Sequence, residues 1–257
     1  MECKICGAES KYCFSGEMLK RFSVDYFHCL KCDFIQTEEP YWLDEAYSRP
    51  INTSDTGYMA RNLDLKKRVS LLLYALFRDE GYFVDYAGGY GVFVRLMRDI
   101  GFNFEWSDKF TKNLFAAGFE WDGEKKADAL TLFEVFEHFV DPVREMEELV
   151  KITDTIVFST ELHPDPCPQP DEWWYFGLDH GQHISFYSEN SLIYLASLFD
   201  MRYYKCGSLH IFSKKPISRS VLWVPKLIRC GGHRFVEKRM HSKTWSDYQK
   251  MVSGVPS

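Results

Sequence analysis

No uninterrupted apolar stretch of these 257 residues approaches membrane-spanning length, and the opening residues, Met1-Glu2-Cys3-Lys4, carry no apolar run. Neither a transmembrane anchor nor a secretory leader is expected, and a cytoplasmic location is. Two common phosphate-binding signatures are also missing. No third glycine stands at the G-x-G-x-x-G offset after the turn at 88–91, which disfavours a dinucleotide, and no Gly-Lys-Ser/Thr run marks a P-loop. Positive charge is in short supply, with 31 Lys and Arg against 37 Asp and Glu. It is also unevenly spread: ten of the basic residues lie between Lys214 and Lys250, beside only Glu237 and Asp247. An acidic body with a basic tail makes nucleic acid an unlikely partner, because phosphate contacts need a positive groove. Aromatics at 17% argue against disorder. The length allows one full core plus a small appendage.

The cysteines are few but patterned. Cys3-x-x-Cys6 and Cys29-x-x-Cys32 sit on two turns, and Phe22, Val24 and Tyr26 alternate between them as in a strand. Two thiolate pairs at this spacing suit a tetrahedral zinc ribbon over residues 1–40, with the metal structural because four cysteines leave no open position. Cys13, Cys167, Cys206 and Cys230 read as ordinary thiols.

The chain is organised around Phe83-Val84-Asp85-Tyr86-Ala87-Gly88-Gly89-Tyr90-Gly91, an apolar strand ending in an acid and three glycines. Val92 to Ile100 then has apolar residues at helical spacing. Strand, bare turn and helix make a place where a ligand can lie against backbone. Asp85-x-Ala87-Gly88-Gly89-x-Gly91 resembles motif I of the class I S-adenosylmethionine (SAM) methyltransferases, with Ala87 where the motif has its first glycine. Downstream, Glu134 to Pro142 (E-V-F-E-H-F-V-D-P) is similar to the segment after the fourth strand in the small-molecule group of that family, types 11, 12 and 23. His183-Ile184-Ser185-Phe186-Tyr187-Ser188 resembles a further signature of the same group, shared with nucleotide-sugar methyltransferases.

The resemblance implies an α/β Rossmann-like sheet of seven strands, preceded by the ribbon and followed by the basic tail. Residues 41–80 read as a connector and a lid helix from Tyr58 to Phe77, from which Tyr58 and Arg61 could close on the ligand. Residues 81–215 read as the SAM-binding domain. A strand at Asn103–Ser107 ends in Asp108, an acid placed to accept both ribose hydroxyls or to cap a helix from Lys109 to Ala117. A short third strand is expected at Phe119–Trp121, with Asp122 near the adenine edge. Asp128 to Val135 is a near-continuous apolar strand. A fifth strand follows at Thr155–Thr160, and a closing hairpin at Met201–Lys214.

The expected cofactor residues are therefore Asp85, Gly88, Gly89, Gly91 and Asp108. The resemblance adds Phe133 and Glu134 at the methionine end of SAM, and puts Glu137 and His138 on the active-site side. The aromatic and histidine-rich loop from Trp173 to Ser188 reads as the substrate side, and His183, ahead of His138, as the general base. The implied function is SAM-dependent methyl transfer to a small polar acceptor, a sugar or nucleotide-linked sugar. The alternatives are an RNA methyltransferase or a non-catalytic SAM-binding protein. The tail, Pro216–Ser257, could pack on the body, join a homodimer of an otherwise monomeric chain, or touch an anionic membrane.

Overall fold

The computed structural model describes residues 1–48 and 56–254, so the middle of the expected connector, 49–55, lies outside the described residues. The chain divides into two compact units. One comprises the described residues of Met1–Asn52 with Phe133–Lys151 and Phe158–Tyr203, and the other comprises Thr53–Leu132, Ile152–Val157 and the described residues of Tyr204–Ser257.

The first unit is built on β1 (Lys11–Met18), β2 (Phe22–Cys29) and β3 (Phe34–Thr37). Each Cys-x-x-Cys closes in the same way: the N–H of Gly7 donates to the Cys3 carbonyl at 3.0 Å, and that of Asp33 to the Cys29 carbonyl at 2.7 Å. Both Gly7 and Asp33 have positive φ, +67° and +62°, the left-handed step that turns the chain back. The ribbon does not stand alone. β3 is buried throughout and takes a two-residue strand, β8 (Ser185–Phe186), as its outer neighbour, with Ile35 opposite Phe186. An uncovered β3 would leave a row of buried backbone groups unpaired. Phe14, Tyr26, Phe176 and Phe186 then share one core with Trp42, whose indole N–H donates to the Gly181 carbonyl at 2.8 Å. A four-residue helix, α1 (Leu43–Ala46), follows the ribbon. In α4 (Pro142–Ile152), Asp141 caps the Arg144 N–H at 3.1 Å, and proline occupies the first turn. α5 (Glu189–Ser197) starts with a reciprocal Ser188 and Ser191 capping box.

Most residues of a six-stranded sheet among the described residues belong to the second unit. Its strands are β4 (Tyr82–Tyr86), β5 (Asn103–Ser107), β6 (Ala129–Phe133), β7 (Thr155–Ser159), β9 (Arg202–Cys206) and β10 (Leu209–Ser213), in the order β5-β4-β6-β7-β10-β9. β4 runs parallel to both neighbours, and its register sets Asp85 opposite Trp106 on β5 and Thr131 on β6. Two helices pack together beside it, α2 (Tyr58–Phe77) and α3 (Val92–Ile100).

Two expectations fail here. The third strand at 119–121 is reduced to a single bridge between Trp106 and Glu120, so six strands form the sheet where seven were expected. Gly118 and Gly123, both at positive φ, turn the chain on either side of it. The helix expected from Lys109 to Ala117 is absent, and these residues form a chain of turns. Asp108 Oδ1 takes the N–H groups of both Phe110 and Thr111, and Asn113 Oδ1 takes that of Ala116. Such short side chains compete with helical backbone bonds for the same donors. Phe110, Leu114 and Phe115 are left exposed.

The tail folds into α6 (Val224–Arg229), α7 (His233–Arg239) and α8 (Thr244–Ser253) within this unit, and α6 and α7 lie against α2. Its main anchor reverses the expected polarity, because a tail acid enters a fork of body arginines. Asp247, on α8, receives Arg98 Nη2 at 2.6 Å, Arg98 Nε at 2.8 Å and Arg95 Nη2 at 2.9 Å. Burial works against the Asp247 charge, but the two guanidinium groups outweigh it and hold its pKa below the usual range. Among the described residues, no helix is long and apolar enough to cross a membrane.

Candidate active site

The glycine turn belongs to the second unit. Asp85, at the end of β4, is buried and accepts the Thr131 hydroxyl at 2.6 Å. Loss of hydration pushes its pKa up to about 7; the Thr131 bond opposes this and the Asp108 charge adds to it. Ala87, Gly89 and Gly91 all have positive φ, +59°, +55° and +82°. Ala87 holds that conformation at a cost of about 1–2 kcal/mol. Space decides at Gly88 and Gly91. A Cβ on Gly88 would meet Asp85 Oδ2 at 2.8 Å and Trp106 Cδ1 at 2.9 Å, and one on Gly91 would meet Asn113 Oδ1 at 2.5 Å.

Gly89 is tied down from three sides. Its N–H donates to Asp108 Oδ2 at 3.0 Å, and its carbonyl accepts the Trp106 indole N–H and the Thr111 hydroxyl, both at 2.8 Å. Asp108 thus accepts three backbone N–H groups, two of them within its own loop. Trp106 and Thr111, which the sequence pattern did not single out, hold the Gly89 carbonyl in place. The turn leads into α3, whose first turn carries no acidic side chain. Bare backbone at a positive helix end suits a ligand such as SAM, and added Cβ atoms would fill part of that cradle.

Phe133 and Glu134 lie where the chain leaves β6 for the first unit. Glu134 turns the chain at φ +56°, donates its N–H to Ser159 Oγ at 3.1 Å, and accepts the Ser159 hydroxyl on Oε1 at 2.6 Å. A single 3₁₀ turn, Phe136–His138, then presents Glu137 and His138. Three bonds set the segment at 184–187 beside it: Ile184 N–H to the Glu137 carbonyl at 2.9 Å, the Ser185 hydroxyl to Phe139 O at 2.6 Å, and the Tyr187 hydroxyl to Phe136 O at 3.0 Å.

This arrangement brings Glu137, His138 and His183 together, each offering a donor atom within 4.8 Å of the others. His138 Nδ1 lies 3.0 Å from the Gln182 carbonyl and 3.0 Å from the Tyr47 hydroxyl, and His183 Nδ1 lies 2.7 Å from the Tyr175 carbonyl. A carbonyl only accepts, so each Nδ1 carries the proton of the neutral ring and each Nε2 keeps its lone pair. Burial lowers the His138 pKa to about 4 and that of His183 well below the ordinary value. Both shifts favour the neutral ring. Glu137 is fully buried; burial, then the Glu134 charge, push its pKa up to about 8 against the effect of the Tyr175 and Thr160 hydroxyls. Neither of its oxygens completes a hydrogen bond. Tyr47, Tyr175 and Gln182 were visible in the sequence only as members of aromatic or polar runs.

In the ribbon, Cys3 Sγ lies 3.5 Å from Cys32 Sγ, and Cys6 Sγ 3.4 Å from Cys29 Sγ, with all four within 4.8 Å. Tetrahedral zinc with Zn–S bonds of ~2.3 Å needs sulfurs about 3.8 Å apart, so the four thiols fit the ion. The Cys32 thiol beside it lowers the Cys3 pKa to about 5. Cys13 and Cys167, expected as ordinary thiols, come within 3.5 Å of each other near His28.

A protein family described as "Methyltransferase domain" matches residues 58–203, more than half of the chain. No curated protein matches by sequence. Among solved structures the chain is similar to CalO1, a methyltransferase in calicheamicin biosynthesis in its SAH-bound form, at 13% identity over 69% of this chain and 68% of that one, TM-score 0.41. It is also similar to magnesium protoporphyrin IX methyltransferase (ChlM) from Synechocystis PCC 6803 with bound SAH, at 14% identity over 67% of this chain and 94% of that one, TM-score 0.44. An O-methyltransferase family protein from Burkholderia thailandensis is similar at 13% identity over 70% of this chain and 65% of that one, TM-score 0.45.

Proposed function

The chain belongs to the SAM-dependent methyltransferases that carry this domain, and from that premise we propose that its acceptor is a small polar molecule, a sugar or nucleotide-linked sugar. The observation that carries the proposal is the cluster of Glu137, His138 and His183, in which two imidazoles, each held through Nδ1 by a backbone carbonyl, lie beside a buried carboxyl. Bound SAM supplies an already activated methyl group on a sulfonium, so the protein has mainly to orient the acceptor and exclude water. Gly88, Gly89 and Gly91 provide backbone for the cofactor to rest on, and Asp108 provides a carboxylate beside it. His183, ahead of His138, takes the acceptor proton. Trp174, largely exposed on the loop before His183, offers a ring face to the apolar side of a sugar. The four ribbon cysteines hold a structural Zn²⁺, and a reducing, cytoplasmic setting keeps such thiolates available to the metal.

The test is a screen with methyl-labelled SAM, nucleotide-sugars and free sugars against RNA. Label transfer to a sugar acceptor, reduced at least tenfold in His183→Ala, is expected. Transfer to RNA with none to any sugar would overturn the reading.

A further inference from the structure

The same three residues carry a second property. Glu137 is a carboxyl with no exposed surface and two oxygens that complete no hydrogen bond. Leaving such a group buried is costly, and native structures keep it where something else uses it. The two histidines beside it are each fixed through Nδ1 to a backbone carbonyl, Gln182 for His138 and Tyr175 for His183. That outer bond selects the tautomer and orients the ring of a metal-binding histidine, with Nε2 left to coordinate. Their rings stand 5.1 Å apart at 76°, so the two can face one point without stacking.

We propose that Glu137, His138 and His183 form a binding site for a divalent first-row transition cation, separate from the four-cysteine ribbon. Two imidazoles and one carboxylate suit Zn²⁺, Fe²⁺, Co²⁺ or Ni²⁺ and disfavour Mg²⁺ and Ca²⁺, which prefer all-oxygen shells. Three protein ligands leave a coordination position open, as in catalytic and not structural sites. This deepens the acceptor reading above and rests on it for its purpose. With the cation bound, His138 and His183 are ligands and His183 no longer serves as the base; the open position takes an acceptor hydroxyl oxygen, which the cation makes acidic enough to lose its proton to solvent. The Glu137 carboxyl gives up its proton to solvent as the cation binds.

The experiment uses the full chain, stripped with a chelator under reducing conditions and titrated with Co²⁺. Wild type should take up one Co²⁺ with the intense thiolate charge-transfer absorption of a cysteine site, and a second with weak visible bands alone. Glu137→Gln should lose the second Co²⁺ and keep the first. This substitution matches the neutral side chain in shape, so circular dichroism should show an unchanged fold. Independently of any variant, proton NMR of the Co²⁺-loaded wild type should show two strongly shifted, solvent-exchangeable imidazole N–H signals, because the ribbon contains no histidine ligand. Equal Co²⁺ uptake by wild type and Glu137→Gln would overturn the proposal. Loss of the second Co²⁺ in Cys13→Ser would do the same, by placing that ion at Cys13, His28 and Cys167, as would absence of the N–H signals. Label transfer from methyl-labelled SAM to sugar acceptors, measured on the metal-stripped and Co²⁺-loaded wild type, reports the acceptor reading separately, so either can fail alone.

Discussion

Replacing Asp108 by asparagine separates what this residue does for its loop from what it does for the cofactor. Oδ1 accepts Phe110 and Thr111 N–H at 2.7 and 2.8 Å, while Oδ2 accepts Gly89 N–H at 3.0 Å. Asn keeps an acceptor for the loop but turns an amide donor toward the Gly89 N–H and removes the charge. A hydrogen bond to a charged group contributes about 1.5–3 kcal/mol. If Asp108 holds the ribose, SAM affinity should therefore fall roughly ten- to hundredfold, at 1.4 kcal/mol per tenfold. The fold should lose only the Gly89 tie, about 1–2 kcal/mol for a half-exposed group, or a few degrees in Tm. Asp108→Ala, which also frees the Phe110 and Thr111 N–H groups, should unfold earlier still. Calorimetry with SAM beside differential scanning fluorimetry reads both quantities. SAM affinity in Asp108→Asn within twofold of wild type would refute the cofactor role and leave the residue as a loop cap.

The remaining predictions concern the frame around the site. Asp247→Ala strands Arg98 in a buried position and should cost about 3–5 kcal/mol in urea unfolding, as removal of one partner of a buried pair does; a loss under about 1 kcal/mol would show that the tail contributes little. Gly91→Ala forces a Cβ to within 2.5 Å of Asn113 Oδ1 at φ +82°, and should both lower Tm and abolish measurable SAM binding, which tight binding by the variant would contradict. The Asp85 pKa, raised from 3.8 to about 7, favours the protonated carboxyl in the fold. Its stabilising contribution is complete below about pH 4 and is lost as pH rises through about 7. Asp85→Asn should accordingly flatten the decline in stability across that window and gain a few kcal/mol above it, since each tenfold change in proton affinity is worth roughly 1.4 kcal/mol; parallel pH profiles would show that Asp85 is not buried in this way.

How much could be read in advance depended on the range of the forces involved. Asp85 to Gly91 could be placed from the chain alone, because a strand, a left-handed turn and a helix start are set by neighbours within a few residues. The same holds for the two cysteine knuckles. The helix expected at Lys109–Ala117 failed for the converse reason. It rested on Asp108 as a cap, but Asp108 and Asn113 offered the backbone closer acceptors within the loop, and a capping residue alone does not show that competition. The third strand at 119–121 had suitable residues and too little length between its flanking glycines.

Long-range pairing decided the rest. Nothing local to Ser185–Phe186 says that it completes the ribbon sheet against β3; the need to pair buried backbone does. The polarity of the tail's attachment was also hidden, since composition showed a basic segment while the anchor is its lone acid in that helix, Asp247. In the candidate site, the sequence determined that Glu137, His138 and His183 are present and that two lie next to each other. Only the tertiary structure decided that His183 joins them, that each Nδ1 is held by a carbonyl, and that Glu137 is sealed from water. Those properties arise from backbone bonds between segments some 45 residues apart, beyond what any local pattern of residues encodes.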